Sequence, residues 1–481
     1  MWPRTRSSLS RSRRPTRASS RCSFSTPRAA GTRAPRTSSS REPFAVTRAT
    51  ARPAWRWIAL VVLSAACAGA GADLPDYTGL PKWASRAIPE ARGDVRVLPD
   101  GRRVALRYRG WTTRDFDRSR TYAYDDVRPE PSVQRVMMPD GVTGDPTKGR
   151  ALFLDRTKGP CTGCHLVPGD DVWPAGSVGP DQSTIGDRRL PDQYLYQIVW
   201  DARVVFPNSS MPPWGTTAIV SSEEVVHLVA YLQTLKGPVP PEKDPDRSPL
   251  TRRKPVGFGD NLDPTNNPAM LLAESAEDLW TARGPAGKAC ADCHDGGIDR
   301  AMRGVATRYP KFVTAFRRVM SIEDFLTVHA PATTGRAVPA QSDDNLNLTM
   351  LVKRASNGMP VNVEMSSAEA RAALARGKAT FEKRVGDRNH ACTDCHAPDR
   401  GAGKFLGGRL LGDVTAGLTR NFPVWRTDRG EVWDMRKRFQ WCMTPLGTNM
   451  LAADSIEYAE LELYLTTFDN GKALSVPGIR H

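Results

Sequence analysis

Three copies of one five-residue pattern constrain this chain more than any other feature. Cys161-Thr-Gly-Cys164-His165, Cys290-Ala-Asp-Cys293-His294 and Cys392-Thr-Asp-Cys395-His396 all read C-x-x-C-H, the signature of c-type haem attachment. Two thiols add across the haem vinyl groups, and the adjacent His is placed to bind iron. A zinc site would need paired ligand sets converging on a tetrahedron, and a redox dithiol needs no following His. The expectation is three covalently bound haem c. Cys161, Cys164, Cys290, Cys293, Cys392 and Cys395 would hold them, with His165, His294 and His396 on iron.

Of nine cysteines, six are thus used, and Cys22 and Cys67 lie near the N-terminus. Cys442 is left without an intramolecular disulfide partner. One reading makes it a small buried apolar residue; the other makes it an iron ligand or a reactive sulfur. Histidines give a second account. Outside the motifs stand His227, His329, His390 and His481, and each haem iron can take a sixth ligand.

The net charge of +16 looks like a nucleic-acid signal until it is located. Residues 1–72 hold fourteen Arg, no Lys and the single acid Glu42, so only about +3 belongs to the rest. A nucleic-acid-binding surface is not implied. Residues 1–45 are Arg/Ser/Pro/Thr-rich and read as a disordered or misassigned leader. Residues 46–72 read as a signal peptide: a basic flank, the apolar run Ile58–Ala66 and the small residues Ala70-Gly71-Ala72. Initiation at Val46 would give it ordinary length. The run is too short to span a bilayer comfortably. Cys67 raises a lipoprotein alternative, but Ser64 stands where Leu is wanted. A periplasmic protein is expected, in keeping with haem attachment outside the cytoplasm.

The fold expected is mainly α, with three class I cytochrome c-like haem domains in tandem. After a polar extension at 73–130, the first haem segment occupies 131–237. A short helix near Gly149-Arg-Ala-Leu-Phe153 precedes the motif. Met211 follows it in the Pro-rigidified Asn208-Ser-Ser-Met-Pro-Pro213, and Ser221-Ser-Glu-Glu224 caps a closing helix, Val225–Leu235. Met211 is the expected sixth ligand; Met137 and Met138 are poorer candidates. His227, inside the closing helix, reads as a surface or packing residue. Residues 238–260 have linker composition.

Segments 261–368 and 369–481 look like a degenerate repeat, in which Gly377-Lys-Ala-Thr-Phe381 echoes Gly149–Phe153. Each ends in a helix, about Asp344–Ala355 and Ile456–Thr467, the last capped by Asp454-Ser-Ile-Glu457. No sheet pattern is visible. In the second segment His329, in a loop, is the expected sixth ligand, ahead of Met302, Met320, Met350 and Met359. In the third, Val432, Met435, Phe439 and Cys442 recur at helical spacing. Arg438 stands four residues before Cys442, beside its sulfur, with Lys437 adjacent. A thiol near guanidinium and ammonium ionises readily. The alternative puts Met443 or Met450 on iron and Arg438 on a haem propionate.

With these residues in view, 131–475 resembles the SoxXA cytochromes of the Sox thiosulfate-oxidation pathway, as a SoxX–SoxA fusion. The SoxX-like part is Gly144–His165 with the Met211 loop. The SoxA-like part includes Asn357-Gly-Met-Pro360, His390–His396, Phe422-Pro-Val-Trp-Arg426 and Arg436-Lys-Arg-Phe-Gln-Trp-Cys442. The resemblance implies that Cys442 binds the active-site haem as a cysteine persulfide, with Arg438 in the same site. It implies an L-cysteine S-thiosulfotransferase joining thiosulfate to a cysteine of the SoxYZ carrier, with electrons running from the third haem to the first and on to a small soluble cytochrome c. On this reading the catalytic residues are Cys442, Arg438 and Lys437, and the iron ligands are His165, Met211, His294, His329, His396 and Cys442. Many SoxA proteins use a cysteine where His329 stands here, and Met443-Thr-Pro445 also departs from the pattern. Two other readings stay open: a thiosulfate dehydrogenase forming tetrathionate, which needs no carrier, and a plain trihaem electron carrier.

Overall fold

The computed structural model describes residues 95–97, 103–105 and 131–480, except 156–157, 159–160, 173, 240–243, 245, 254–265, 387, 447–450 and 452. The expected leader, the signal peptide, most of the extension, Met450 and His481 lie outside the described residues. Within the extension, Val95–Val97 (β1) pairs antiparallel with Arg103–Ala105 (β2), Val95 opposite Ala105.

The rest is largely helical and is built on crossed helix pairs. In the first segment Pro146–Leu154 (α1) crosses Ser222–Thr234 (α3), with Asp192–Asp201 (α2) packed on α3. In the second, Ala269–Thr281 (α4) packs on Asp343–Arg354 (α6), with Ile322–Thr334 (α5) against α6. In the third, Ala368–Glu382 (α7) crosses Ile456–Thr466 (α9), and Met435–Leu446 (α8) lies between them in sequence.

The repeated Gly-x-x-x-Phe explains the first and third crossings. A Cβ on Gly149 would sit 1.9 Å from the His227 carbonyl oxygen, and one on Gly377 2.1 Å from that of Glu460. Only glycine lets these backbones approach so closely. One turn on, Phe153 meets Tyr231 edge-on at 5.6 Å and Phe381 meets Tyr464 at 5.7 Å. The middle pair closes on alanine instead: Ala269, Ala273 and Ala276 are completely buried, with Trp280 beside them.

The caps follow the sequence in part. Glu224 N–H donates to Ser221 Oγ (3.2 Å) and Ser221 N–H to Glu224 Oε2 (2.8 Å), so the expected capping box is present. The last helix is capped by Ser455, whose Oγ accepts from Tyr458 N–H, and not by Asp454. His227 is a packing residue: it is buried, and its Nδ1 accepts from Asp145 N–H at 3.0 Å.

Small sheets are present where no sheet pattern is visible in the sequence. Lys311–Val313 (β3) pairs with Arg318–Met320 (β4), and Phe405–Leu406 (β5) with Arg409–Leu410 (β6). Val424–Arg426 (β7) lies between antiparallel Glu431–Trp433 (β8) and parallel Gly478–Arg480 (β9). Strands of two or three residues are too short to show alternation. Val432 therefore belongs to β8, and the helical face begins at Met435.

Backbone contacts join the first and third segments. Gly407 N–H donates to the carbonyl of Gly163, inside the first motif, at 2.7 Å. Ser177 N–H donates to Phe405 O at 2.8 Å, and Phe405 N–H to Ser177 Oγ at 3.1 Å. From the linker, Arg252 donates to Gly407 O (3.1 Å) and lies over the Phe405 ring. The second and third segments share a buried ion cluster: Arg436, on α8, donates to Asp324 of α5 (2.9 Å) and Glu462 of α9 (2.6 Å). Removing one member of such a buried set leaves an uncompensated charge, at about 3–5 kcal/mol. This cluster fixes how α8 presents its opposite face. Among the described residues no helix is long and apolar enough to cross a membrane.

Candidate haem and sulfur site

The first and third motifs present their histidines identically. His165 Nδ1–H donates to the Pro180 carbonyl and His396 Nδ1–H to the Gly412 carbonyl, both at 2.8 Å. Each bond fixes the ring and leaves Nε2 for a metal, the arrangement usual in iron- and zinc-ligating histidines. Burial also holds the His165 imidazole below its ordinary pKa, in the neutral form that ligates.

The middle motif is organised differently. His294 and His329 face each other with ring centres 6.2 Å apart, His294 beside Trp280 and His329 stacked on Phe325 at 5.0 Å. Two imidazoles on one metal, each with nitrogen about 2 Å away, require ring centres roughly 6 Å apart, so the pair fits an iron between them. His329 sits within helix α5, not in a loop. Met302, Met320 and Met350 are buried in apolar packing.

Met211 packs partly buried against the first segment's core, its N–H donating to Ser209 Oγ at 3.1 Å. Met137 is 79% exposed.

Cys442 lies on α8, four residues after Arg438 and within hydrogen-bonding reach of His396. Burial alone pushes its thiol up. Arg438, the His396 hydrogen bond and Arg426 outweigh that and hold it at about 7. The adjacent Met443 is buried among Phe439 and Leu446.

Around this sulfur the structure gathers cations that the sequence does not reveal. Arg409, from β6, and Arg438 lie over the ring of Trp441, at 4.2 and 4.8 Å. Arg426, from β7, is tied to Asp428 at 2.9 Å, and Asp428 also reaches Arg409 at 3.4 Å. Arg438 Nη1 is buried without a hydrogen-bond partner. A buried orphan donor beside a thiol suits an anion, whether a sulfur oxyanion or a haem propionate. Lys437 turns away: its Nζ pairs with Glu431 at 3.2 Å, because β8 runs directly into α8 and leaves that carboxylate alongside. The structure brings Arg438 to the sulfur, gives Lys437 to Glu431 and supplies Arg409 and Arg426.

The SoxA/TsdA cytochrome c domain family matches residues 275–361 and 376–474, taking in the second and third motifs, His329 and Cys442. L-cysteine S-thiosulfotransferase subunit SoxA of Pseudaminobacter salicylatoxidans is 32% identical over 217 residues, 44% of this chain and 73% of that protein. The chain belongs to the SoxA cytochrome family. SoxA of Allochromatium vinosum aligns over 287 residues at 26% identity, 58% of this chain and 97% of the relative. A crystal structure of SoxXA from P. pantotrophus matches with a TM-score of 0.42 and 27% identity, over 45% of this chain and 80% of that one. Membership of the SoxA family accounts for covalently bound haem c here.

Proposed function

We propose that this SoxA-family cytochrome is a periplasmic SoxX–SoxA fusion with three haem c groups and three class I cytochrome c-like domains, at 131–237, 261–368 and 369–481. It would act as an L-cysteine S-thiosulfotransferase. The reaction joins the outer sulfur of thiosulfate to a carrier-protein cysteine of the SoxYZ type. The carrier S–H bond breaks, an S–S bond forms, one proton goes to solvent and two electrons leave. When bound, the haems supply the sink for those electrons, which pass on to a small soluble cytochrome c. His165, His294, His396, Met211, His329 and Cys442 are the residues that would hold the three irons.

The observation that carries this reading is a thiol held near neutrality among three guanidinium groups, with His396 against it. Cys442 is the sulfur at which chemistry occurs. Arg438, Arg426 and Arg409 neutralise the thiosulfate dianion, and Arg438 Nη1 has a free donor for it. Trp441 holds two of these cations in place without neutralising them.

Cys442→Ala tests the proposal. Carrier-dependent thiosulfate oxidation should be abolished while three haems remain by mass and by pyridine haemochrome. Mass spectrometry of the natural protein should find added sulfur on Cys442. Normal turnover in Cys442→Ala would leave only an electron-carrier role, and turnover without carrier would indicate tetrathionate formation.

A further inference from the structure

The aspartate inside the third motif does something its counterpart in the second does not. Asp292 and Asp394 both close their own motif turn, accepting from Ala289 N–H at 3.0 Å and Ala391 N–H at 2.9 Å. Each also has an arginine partner, Arg283 or Arg384, at 3.0 Å. Asp394 is almost completely buried, takes a second arginine, Arg400, at 2.5 Å, and accepts from Ser210 Oγ at 2.8 Å. Ser210 is far away in sequence and immediately precedes Met211. Its carbonyl is held as well: His390 Nε2–H donates to Ser210 O at 2.7 Å. The third motif and His390 just before it thus grip the hydroxyl and the carbonyl of the residue before Met211. Pro212 and Pro213 stiffen the chain beyond it, and Ser209 Oγ accepts from Met211 N–H.

A sixth ligand on a surface loop is only as firm as the loop. Here the loop's anchor is contributed by another haem segment, through a carboxylate already fixed by two arginines and a backbone amide. We propose that His390 and Asp394 are positioning residues for Met211, so that the third haem motif sets the firmness of the first haem's sixth ligand. This rests on Met211 being that ligand. It makes the two redox centres mechanically coupled: a disturbance at the third motif reaches the first iron through Ser210, without passing through the second segment. Asp394 itself also serves its own turn, so the separable members of the grip are His390 and Ser210.

The test uses the full holoprotein. His390→Leu removes the carbonyl grip, Ser210→Ala removes the hydroxyl grip, and His390→Gln keeps a donor able to reach the carbonyl. Three readouts are followed at the first haem: the Met–iron charge-transfer band, the reduction potential, and displacement of the sixth ligand by added imidazole. Losing one hydrogen bond of about 0.5–1.5 kcal/mol should tighten apparent imidazole binding roughly 2- to 10-fold. The band should weaken and the potential fall, because loss of thioether ligation disfavours the ferrous state. His390→Gln should restore most of each signal, and haem content should stay unchanged throughout. Met211→Ala separates the two levels. If it leaves the band intact, the ligand assignment fails and the proposal with it. If it abolishes the band while His390→Leu and Ser210→Ala leave all three readouts at their original values, the ligand stands and the grip is refuted.

Discussion

Arg438→Ala should reduce carrier-dependent kcat/KM for thiosulfate by roughly 10- to 100-fold. Two contributions add. The first is substrate binding: Arg438 Nη1 has no protein partner, and a hydrogen bond from a charged donor is worth about 1.5–3 kcal/mol, or roughly 10- to 150-fold. The second is the ionisation of the Cys442 sulfur whenever it is not bound to iron. Arg438 is the largest influence pulling the Cys442 thiol down to about 7. Without it the thiol moves back up, and a full return to the ordinary value of 9.0 would cut the thiolate share at pH 7 by roughly fiftyfold. His396 and Arg426 remain, so only part of that loss is expected. Partial exposure and salt reduce both contributions, and the lower range is therefore adopted. The sign fixes the pH behaviour: because deletion raises the thiol pKa, the deficit should be greatest near pH 6–7 and shrink towards pH 9. Steady-state turnover with thiosulfate, carrier and a soluble acceptor across that range is the assay. Lys437→Ala is the control and should stay within about twofold, since its partner is the surface residue Glu431. A kcat/KM for Arg438→Ala within twofold of the natural protein, or a Lys437→Ala loss as large, would refute the reasoning.

His329→Ala should leave haem content unchanged but turn the middle haem high-spin and open to added cyanide or imidazole, with the other two unaffected; an unaltered low-spin spectrum would mean another sixth ligand. Gly377→Ala puts a methyl where 2.1 Å separates the site from the Glu460 carbonyl. The two helices must part, costing about 1–3 kcal/mol, and thermal melting should fall by several degrees; an unchanged Tm would show that the crossing can relax.

What could be read from the sequence was whatever is local. The three motifs, the Met211 loop, the Ser221 capping box and the helical placement of Cys442 with Arg438 all depend on residues within a turn or two. The glycine–phenylalanine echo was legible as a repeat, and the structure supplies its cause in the two close backbone crossings. Arg426 stands in the SoxA-like stretch Phe422–Arg426, but its place at the sulfur, like that of Arg409, was not legible, because both arrive on short strands whose two or three residues carry no periodicity. The direction of Lys437 is hidden for a related reason: adjacency to Arg438 says nothing of which way a helical side chain turns, and Glu431 on β8 decides it. His329 reads as a loop residue in the sequence because Pro331 looks like a breaker, yet α5 continues through that proline. The grip of His390 on Ser210 spans 180 residues, and no local pattern announces it.

The hairpin β5–β6 presses its Gly407 amide onto the carbonyl of Gly163, and Arg252 of the intervening stretch locks onto that same glycine. Two separate proteins meeting through such bonds would be joined only in proportion to their concentration. Tethered on one polypeptide they meet at an effective concentration in the millimolar range, so the contact can be modest and still be always occupied. On the proposed electron path, transfer between the two halves then becomes a unimolecular event, indifferent to protein concentration.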